Sequence, residues 1–248
     1  MTLTAPVTLE APAKLTVSLR VTGVSDDGYH LIDAEMVTLE LSDALLIVPA
    51  TRSSLEVTGP YATGIPTDGS NLVLRALDLA GVTAEVHLLK RIPHGGGLGG
   101  GSADAAAILR WAGAVDPALA VRLGADIPFC VQGGRARVRG IGEIIDPLPP
   151  VHREFTLIIP PVVVPTPAVF RAWDELGGPV DGETENDLTA AAVHAVPELA
   201  RWRDRIAEAT GQTVRLAGSG ATWFVDGHQA GLDEALAPAQ IVTTRTQG

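Results

Sequence analysis

Between Pro93 and Ser102 the chain reads His94-Gly95-Gly96-Gly97-Leu98-Gly99-Gly100-Gly101, with six glycines in the seven positions from residue 95. No helix or strand tolerates that density, because glycine gives up more backbone freedom on ordering than any other residue. The run must be a loop. Strand-like Ala84–Leu89 precedes it and the helix-forming stretch Ala105–Trp111 follows, with Ser102 expected as the helix N-cap and Asp104 in its first turn. Strand, glycine loop and capped helix together leave many main-chain N–H groups unscreened by side chains at the positive end of a helix. That is a cradle for phosphate.

Two familiar phosphate loops can be tested against it. A P-loop is excluded because no Lys-Ser or Lys-Thr closes the run. The dinucleotide fingerprint is met by Gly95, Gly97 and Gly100, and Asp116 stands at a suitable distance. Yet Pro117 follows that acid in what reads as a helix start, whereas the fingerprint wants its acid at the end of a second strand. Spacings of this kind arise cheaply inside a glycine run, so an oxidoreductase is the weak alternative.

Charge narrows the partner. Of 248 residues, 29 are acidic and 18 basic, a formal net charge of −11. Nucleic acid is not expected as a partner, since backbone affinity needs a basic face. An acidic chain can still hold a polyphosphate through main-chain dipoles, Mg²⁺ and a few local cations. Sixteen of the basic residues are Arg and only Lys14 and Lys90 are Lys. Ammonium is a compact charge with a tunable pKa, so the two positions either mark where such a group is needed or are chance survivors of a bias toward Arg. The single Cys130 sits in an apolar run and is expected to be buried and unpaired. The N-terminus lacks a signal-peptide pattern and Phe155–Phe170 is broken by four prolines, so a cytoplasmic chain outside the membrane is expected.

Along the chain, Val7–Val21 alternates as a strand that Pro12 is expected to break, and Asp26-Asp27-Gly28 marks a turn. Val37–Val48 reads as one or two strands about Ser42-Asp43. Leu55–Val57, Phe155–Ile159, Thr213–Leu216 and Thr222–Val225 read as strands, and Asn71–Leu79, Leu188–Ala195 and Pro197–Ala209 as helices. The proline-dense segment 146–150 is the expected domain boundary, giving domains 1–149 and 150–248. Without regular βαβ alternation the class is α+β.

The segment Pro93–Ala106 resembles the phosphate-binding motif of the GHMP kinase superfamily. Ala11-Pro12-Ala13-Lys14, Asp27-Gly28-Tyr29-His30, Leu123–Phe129, Gly140–Glu143, Pro165-Thr166-Pro167, Asn186-Asp187-Leu188 and Gly218–Thr222 follow that family's order over most of the chain. Gly28-Tyr29-His30 and Leu123–Phe129 are similar to one branch, which acts on a cytidine-diphosphate-linked polyol in isoprenoid synthesis. The resemblance implies a two-domain α+β fold, an active site in the cleft between the domains, and transfer of the γ-phosphoryl of Mg²⁺-ATP to a hydroxyl of a small molecule. It implies Asp126 as the catalytic carboxylate with Lys14 as its partner. Pro93 to Ala103, thus Pro93, His94, Gly95, Gly96, Gly97, Leu98, Gly99, Gly100, Gly101, Ser102 and Ala103, would bind ATP with Asn71 and Lys90. Thr16, Tyr29, His30, Thr166 and Phe170 would bind the acceptor, Tyr29 and His30 on one side of a cytosine and Phe170 on the other. No residue is assigned to a metal.

Read alone, Asp126 is a helix N-cap before Ile127-Pro128 and Lys14 an exposed strand residue; the ordered set of motifs outweighs both. Thr16 departs from the Asn usual in the family, and the stretch between Trp111 and Gly124 is short. Alternatives are another kinase of the superfamily, of homoserine or mevalonate type, or a nucleotide-binding protein without catalysis.

Overall fold

The computed structural model describes residues 5–179 and 185–247. Its strands are β1 (Val7–Val24), β2 (His30–Pro49), β3 (Ser54–Thr58), β4 (Ala84–Leu89), β5 (Arg135–Gly140), β6 (Ile144–Pro147), β7 (Glu154–Ile159), β8 (Arg215–Leu216), β9 (Trp223–Asp226) and β10 (Gln240–Arg245). Its helices are α1 (Leu72–Leu79), α2 (Gly100–Ala112), α3 (Pro117–Ala120), α4 (Ile127–Gln132), α5 (Thr166–Glu175), α6 (Leu188–Ala195), α7 (Glu198–Thr210) and α8 (Leu232–Ala235). The class is α+β, as expected. One sheet runs β3-β4-β2-β5-β6 with β1 also paired to β2, and is antiparallel except for β3 on β4. A second, antiparallel sheet runs β10-β7-β9-β8.

The expected boundary lies in the connection from β6 to β7, between the two sheets. The apolar packing crosses it. Ala13, Leu15, Val17, Val37 and Leu39 of the first sheet share a buried cluster with Phe155, Leu157 and Phe224 of the second. Asp187 adds a polar staple, accepting from Arg20 Nη1 at 2.6 Å and from the Val21 N–H at 3.0 Å.

β1 continues through Pro12 instead of breaking. The ladder to β2 absorbs the proline by shifting register between Pro12 and Lys14, and shifts again between Thr16 and Ser18, the usual refuge of a residue that lacks an N–H. Between these bulges Leu15 and Val17 face the apolar cluster while Lys14 and Thr16 point the other way, and all four are buried. The strand is therefore covered on both faces, and its second face is polar. β2 is likewise one strand: Ser42 and Asp43 continue it and pair with Pro12 and Ala11.

α2 corrects the expected cap. Gly99, in left-handed conformation at φ +68°, is the N-cap residue, and the helix already includes Gly100 and Gly101; Ser102 is inside it. Ala103 through Leu109 are all buried, so α2 is enclosed rather than amphipathic. The structure also contains β5, β6, β10, α5 and α8, none of which periodicity announced, while β8 retains only two residues of the expected strand 213–216. No helix among the described residues is long and apolar enough to cross a membrane.

Candidate active site

The glycine loop is held from two sides. On one, the Lys14 N–H donates to Leu98 O at 3.0 Å; on the other, the Thr222 N–H donates to Gly96 O at 3.2 Å. A side chain has no room there. A Cβ at Gly99 would lie 2.8 Å from Lys14 Cγ, and one at Gly97 would lie 2.7 Å from Gly220 O, with both residues at positive φ. Gly99 thus does two things: it starts α2 in a conformation that other residues avoid, and it lets the Lys14 stem pass.

Beside the loop lies a cavity of about 400 Å³. Pro93, His94, the six glycines, Leu98 and Ser102 line it, together with Asn71, Lys90, Asp104 and Asp126. Ala103 is the exception among the expected loop residues. Its side chain is buried and its N–H is spent on Gly99 O, so it does not reach the wall. Asn71 lines the cavity and also caps α1, its Oδ1 accepting from the Val73 N–H at 2.9 Å and its Nδ2 donating to Pro66 O at 2.7 Å.

Lys90 is more constrained than sequence could show. Its ammonium lies between two buried carboxylates, Asp43 and Asp104, the second at 2.8 Å. Asp43 Oδ1 also accepts the N–H groups of Arg91 and Ile92, fixing the chain as it leaves β4 for the glycine loop. Burial drives the Asp104 carboxyl up to about 7, against the pull of Lys90 and with the push of Asp43. Burial alone would lower Lys90, yet the two carboxylates hold it above its ordinary value. From sequence, Asp43 is only a residue within one or two expected strands and Asp104 a first-turn helix acid. The residues that signalled the cluster were there, a lysine in a chain that otherwise uses Arg, but nothing in their spacing brought them together.

A second cavity, of about 480 Å³, takes its wall from both sides of the β6–β7 connection in the chain: Lys14, Thr16, Tyr29, His30 and Ile141 before it, Thr166, Phe170, Leu188 and Ser219 after it. Gly97, Ser102 and Asp126 line both cavities. The Asp126 carboxylate stands at this junction. It begins α4 but makes no capping hydrogen bond. Instead Oδ2 pairs with Lys14 Nζ at 3.2 Å, with the Asp126 side chain one-third exposed and Lys14 buried. The same ammonium donates to Thr16 Oγ1 at 3.1 Å. Lys14 is therefore not an exposed strand residue: its charge faces the cavity side, shared between one carboxylate and one hydroxyl.

At the far end of the second cavity the His30 ring stacks directly on Phe170, with centroids 4.7 Å apart, and meets Trp173 edge-on. In this arrangement the two rings are in contact with each other, while Tyr29 is exposed and makes no ring contact among the described residues. The Thr166 and Ser219 hydroxyls are 2.8 Å apart on the same wall. Ser219 was not singled out from sequence, though its Gly218-Ser219-Gly220 context was. Asn186 holds that segment, donating from Nδ2 to Leu216 O at 2.9 Å and Gly218 O at 2.7 Å. Among the described residues no cluster of three His, Cys, Asp or Glu could hold a metal. Cys130 is buried, and burial pushes its thiol up to about 12.

Comparison with known proteins agrees with this architecture. The family model for the GHMP kinases N terminal domain matches residues 71–134, which contain the glycine loop and Asp126. The chain is 40% identical to the 4-diphosphocytidyl-2-C-methyl-D-erythritol kinase of Paracoccus denitrificans (strain Pd 1222), an alignment covering 96% of this chain and 91% of that one. It is 41% identical to the kinase of the same name from Paramagnetospirillum magneticum (strain ATCC 700264 / AMB-1), over 87% of each. A crystal structure of 4-(cytidine 5'-diphospho)-2C-methyl-D-erythritol kinase superposes with a TM-score of 0.74 at 32% identity, covering 98% of this chain and all of the other. A homoserine kinase from Cytophaga hutchinsonii ATCC 33406 shares the fold, with a TM-score of 0.64 at 18% identity. With likeness at this level along nearly its whole length, the chain belongs to the 4-diphosphocytidyl-2-C-methyl-D-erythritol kinases of the GHMP kinase family.

Proposed function

We propose that this protein transfers the γ-phosphoryl group of ATP to the 2-hydroxyl of 4-diphosphocytidyl-2-C-methyl-D-erythritol. The observation that carries the reading is the junction of the two cavities at Asp126, with Lys14 3.2 Å away. A phosphoryl donor in the loop-lined cavity and an alcohol in the other would meet there. The homoserine- and mevalonate-type alternatives share the fold but not the level of identity that the diphosphocytidyl kinases show.

Phosphoryl transfer asks a protein mainly for alignment and charge stabilisation. The main-chain N–H groups of the glycine loop and the start of α2 are suited to hold the phosphates, which spares an acidic protein the need for many cations. Asp126, uncommitted to its helix, is free to accept the hydrogen of the attacking hydroxyl, first orienting the oxygen and then taking its proton. Lys14, paired with that carboxylate at 3.2 Å, supplies positive charge where the alkoxide and the moving phosphoryl develop negative charge. Thr16 accepts one ammonium hydrogen and so limits how Lys14 can turn. Thr166 and Tyr29 would bind the acceptor in the second cavity, with His30 offering an edge and Phe170 backing it. We take residues 1–149 and 150–248 as the two domains flanking this cleft.

Magnesium fits as an ion carried by the phosphates. Ser102 and Asp126 line both cavities with oxygen-bearing side chains, and Mg²⁺ draws most of its ligands from water and phosphate. When bound it would neutralise phosphate charge. Asn71 and Lys90 line the same cavity, but Lys90 is neutralised from within by Asp43 and Asp104. We assign it to shaping the loop more than to gripping phosphate.

Release of ADP from Mg²⁺-ATP, measured with and without the acceptor, tests the reading, with ³¹P NMR to place the new phosphate. Acceptor-dependent ADP and a phosphomonoester on the 2-oxygen are expected. ATP binding without acceptor-dependent turnover would overturn the choice of substrate.

A further inference from the structure

Outside the reacting centre the structure holds an arrangement around His30 whose members come from two distant parts of the chain. Phe170, Trp173 and Asp174 occupy positions i, i+3 and i+4 of α5, one helical face. All three converge on one imidazole. Phe170 stacks on the His30 ring, Trp173 meets it edge-on at 5.5 Å, and Asp174 Oδ1 lies 2.8 Å from Nε2. The His30 side chain is 12% exposed and that of Asp174 is 52% exposed, so the histidine is enclosed while its partner reaches it from the solvent side.

An ionised carboxylate has no hydrogen to give and can only accept. The bond to Asp174 therefore requires the proton of a neutral His30 ring to sit on Nε2, leaving Nδ1 with a free lone pair. Nδ1 has no hydrogen-bond partner among the described residues, and His30 lines the second cavity. Stacking on Phe170 and the edge contact with Trp173 keep the ring from turning to exchange its two nitrogens. The protein thus specifies both the tautomer and the orientation of this side chain.

We propose that Asp174 is a positioning residue for base recognition: by accepting the Nε2 proton of His30 it presents Nδ1 to the cavity as a hydrogen-bond acceptor, matched to the exocyclic amino group of a cytosine and mismatched to the O4 of a uracil. Cytosine donates from N4 where a uracil-type ring accepts at O4, so one acceptor on the protein separates the two. An acceptor facing an acceptor leaves both unpaired in a confined site, which is how a polar pocket rejects an analogue. The inference rests on the proposed diphosphocytidyl acceptor, and it adds the residue that sets the choice of base.

The test uses the full chain with cytidine 5′-diphosphate and uridine 5′-diphosphate as probes, and the variants Asp174→Asn, Asp174→Ala and Asp174→Glu. An Asn amide can donate to Nε2 and draw the proton onto Nδ1, so Asp174→Asn is expected to reduce the preference for the cytidine probe about tenfold, the worth of one neutral hydrogen bond. Asp174→Ala should weaken cytidine binding less, and Asp174→Glu should restore part of the preference. In turnover the loss should fall on KM for the acceptor rather than on kcat. The ¹⁵N spectrum of the His30 ring at pH 8, where free imidazole is neutral, should show the proton on Nε2 in the wild type and on Nδ1 in Asp174→Asn. An unchanged cytidine-to-uridine ratio in both Asn and Ala variants would overturn the proposal, as would a wild-type spectrum with the proton on Nδ1. If the wild type bound neither probe, the diphosphocytidyl reading itself would fall and this inference with it.

Discussion

Replacing Asp104 by Asn should change how stability depends on pH, and the structure sets the sign. Asp104 is buried on α2 beside Lys90 and Asp43, two carboxylates around one ammonium, and its Oδ1 has no hydrogen-bond partner among the described residues. Burial raises its carboxyl from the ordinary 3.8 to about 7. A carboxyl raised on folding binds more protons in the native state than in the unfolded one between these two values. Stability contributed by the group is therefore greatest at low pH and declines as pH rises through that window. Linkage with a shift of this size makes the decline roughly 2 kcal/mol between pH 5 and pH 8. Asn keeps the shape and an oxygen for Lys90, removes the titration, and leaves the Lys90–Asp43 pair balanced. Urea unfolding of wild type and Asp104→Asn at several pH values in that range reads the effect of this cluster, because titrating groups remote from Asp104 cancel in the difference. The variant should gain on the wild type by roughly that amount from pH 5 to pH 8, and be the more stable of the two at the upper end. A difference independent of pH, or one that grows in the wild type's favour, would refute the assignment of a raised pKa to this buried carboxyl.

Other expectations follow from individual contacts. Gly99→Ala puts a Cβ 2.8 Å from Lys14 Cγ at a φ of +68°, so turnover should drop at least about a hundredfold through displacement of Lys14, with a destabilisation of about 1–2 kcal/mol in urea unfolding. Thr16→Val removes the hydroxyl that accepts from Lys14 Nζ. A fall in kcat of about tenfold is expected from that one buried hydrogen bond, and wild-type turnover in the variant would show the contact to be idle. Cys130, buried with its thiol pushed up to about 12, should resist a thiol reagent at pH 8 in the native protein and react at once in urea.

The parts of the fold that sequence made legible are those written locally. Glycine density announced the loop at residues 95–99, though the last two glycines of the run, Gly100 and Gly101, already belong to α2, and period-two apolar spacing announced β1 and the later part of β2. What remained hidden was set by neighbours distant in the chain. Pro12 looked like a break, but a register shift on β2 accommodates it. Ser42-Asp43 left open whether Val37–Val48 is one strand or two, because those residues are common in turns. In the structure Asp43 is retained in a strand because Lys90, Arg91 and Ile92 satisfy its carboxylate. Ser102 looked like a cap because serine usually fills that place, yet Gly99 can start α2 earlier with a left-handed residue. α5 opens on Thr166-Pro167, where proline is tolerated in the first turn, and three nearby prolines masked it. At the site, Lys14 and Asp126 could be paired by motif order, but the Asp174–His30 contact spans two segments that carry no common pattern.

The most direct test of the account is turnover by Asp126→Asn. Asn preserves the size of the side chain at the junction of the two cavities but accepts no proton and leaves Lys14 without its ionic partner. With Mg²⁺-ATP and saturating acceptor, kcat should fall by about a hundredfold to ten-thousandfold, the range for a lost general base, while the affinity for ATP stays close to that of the wild type. Turnover within a few-fold of the wild type would contradict the claim that Asp126 handles the proton of the attacking hydroxyl.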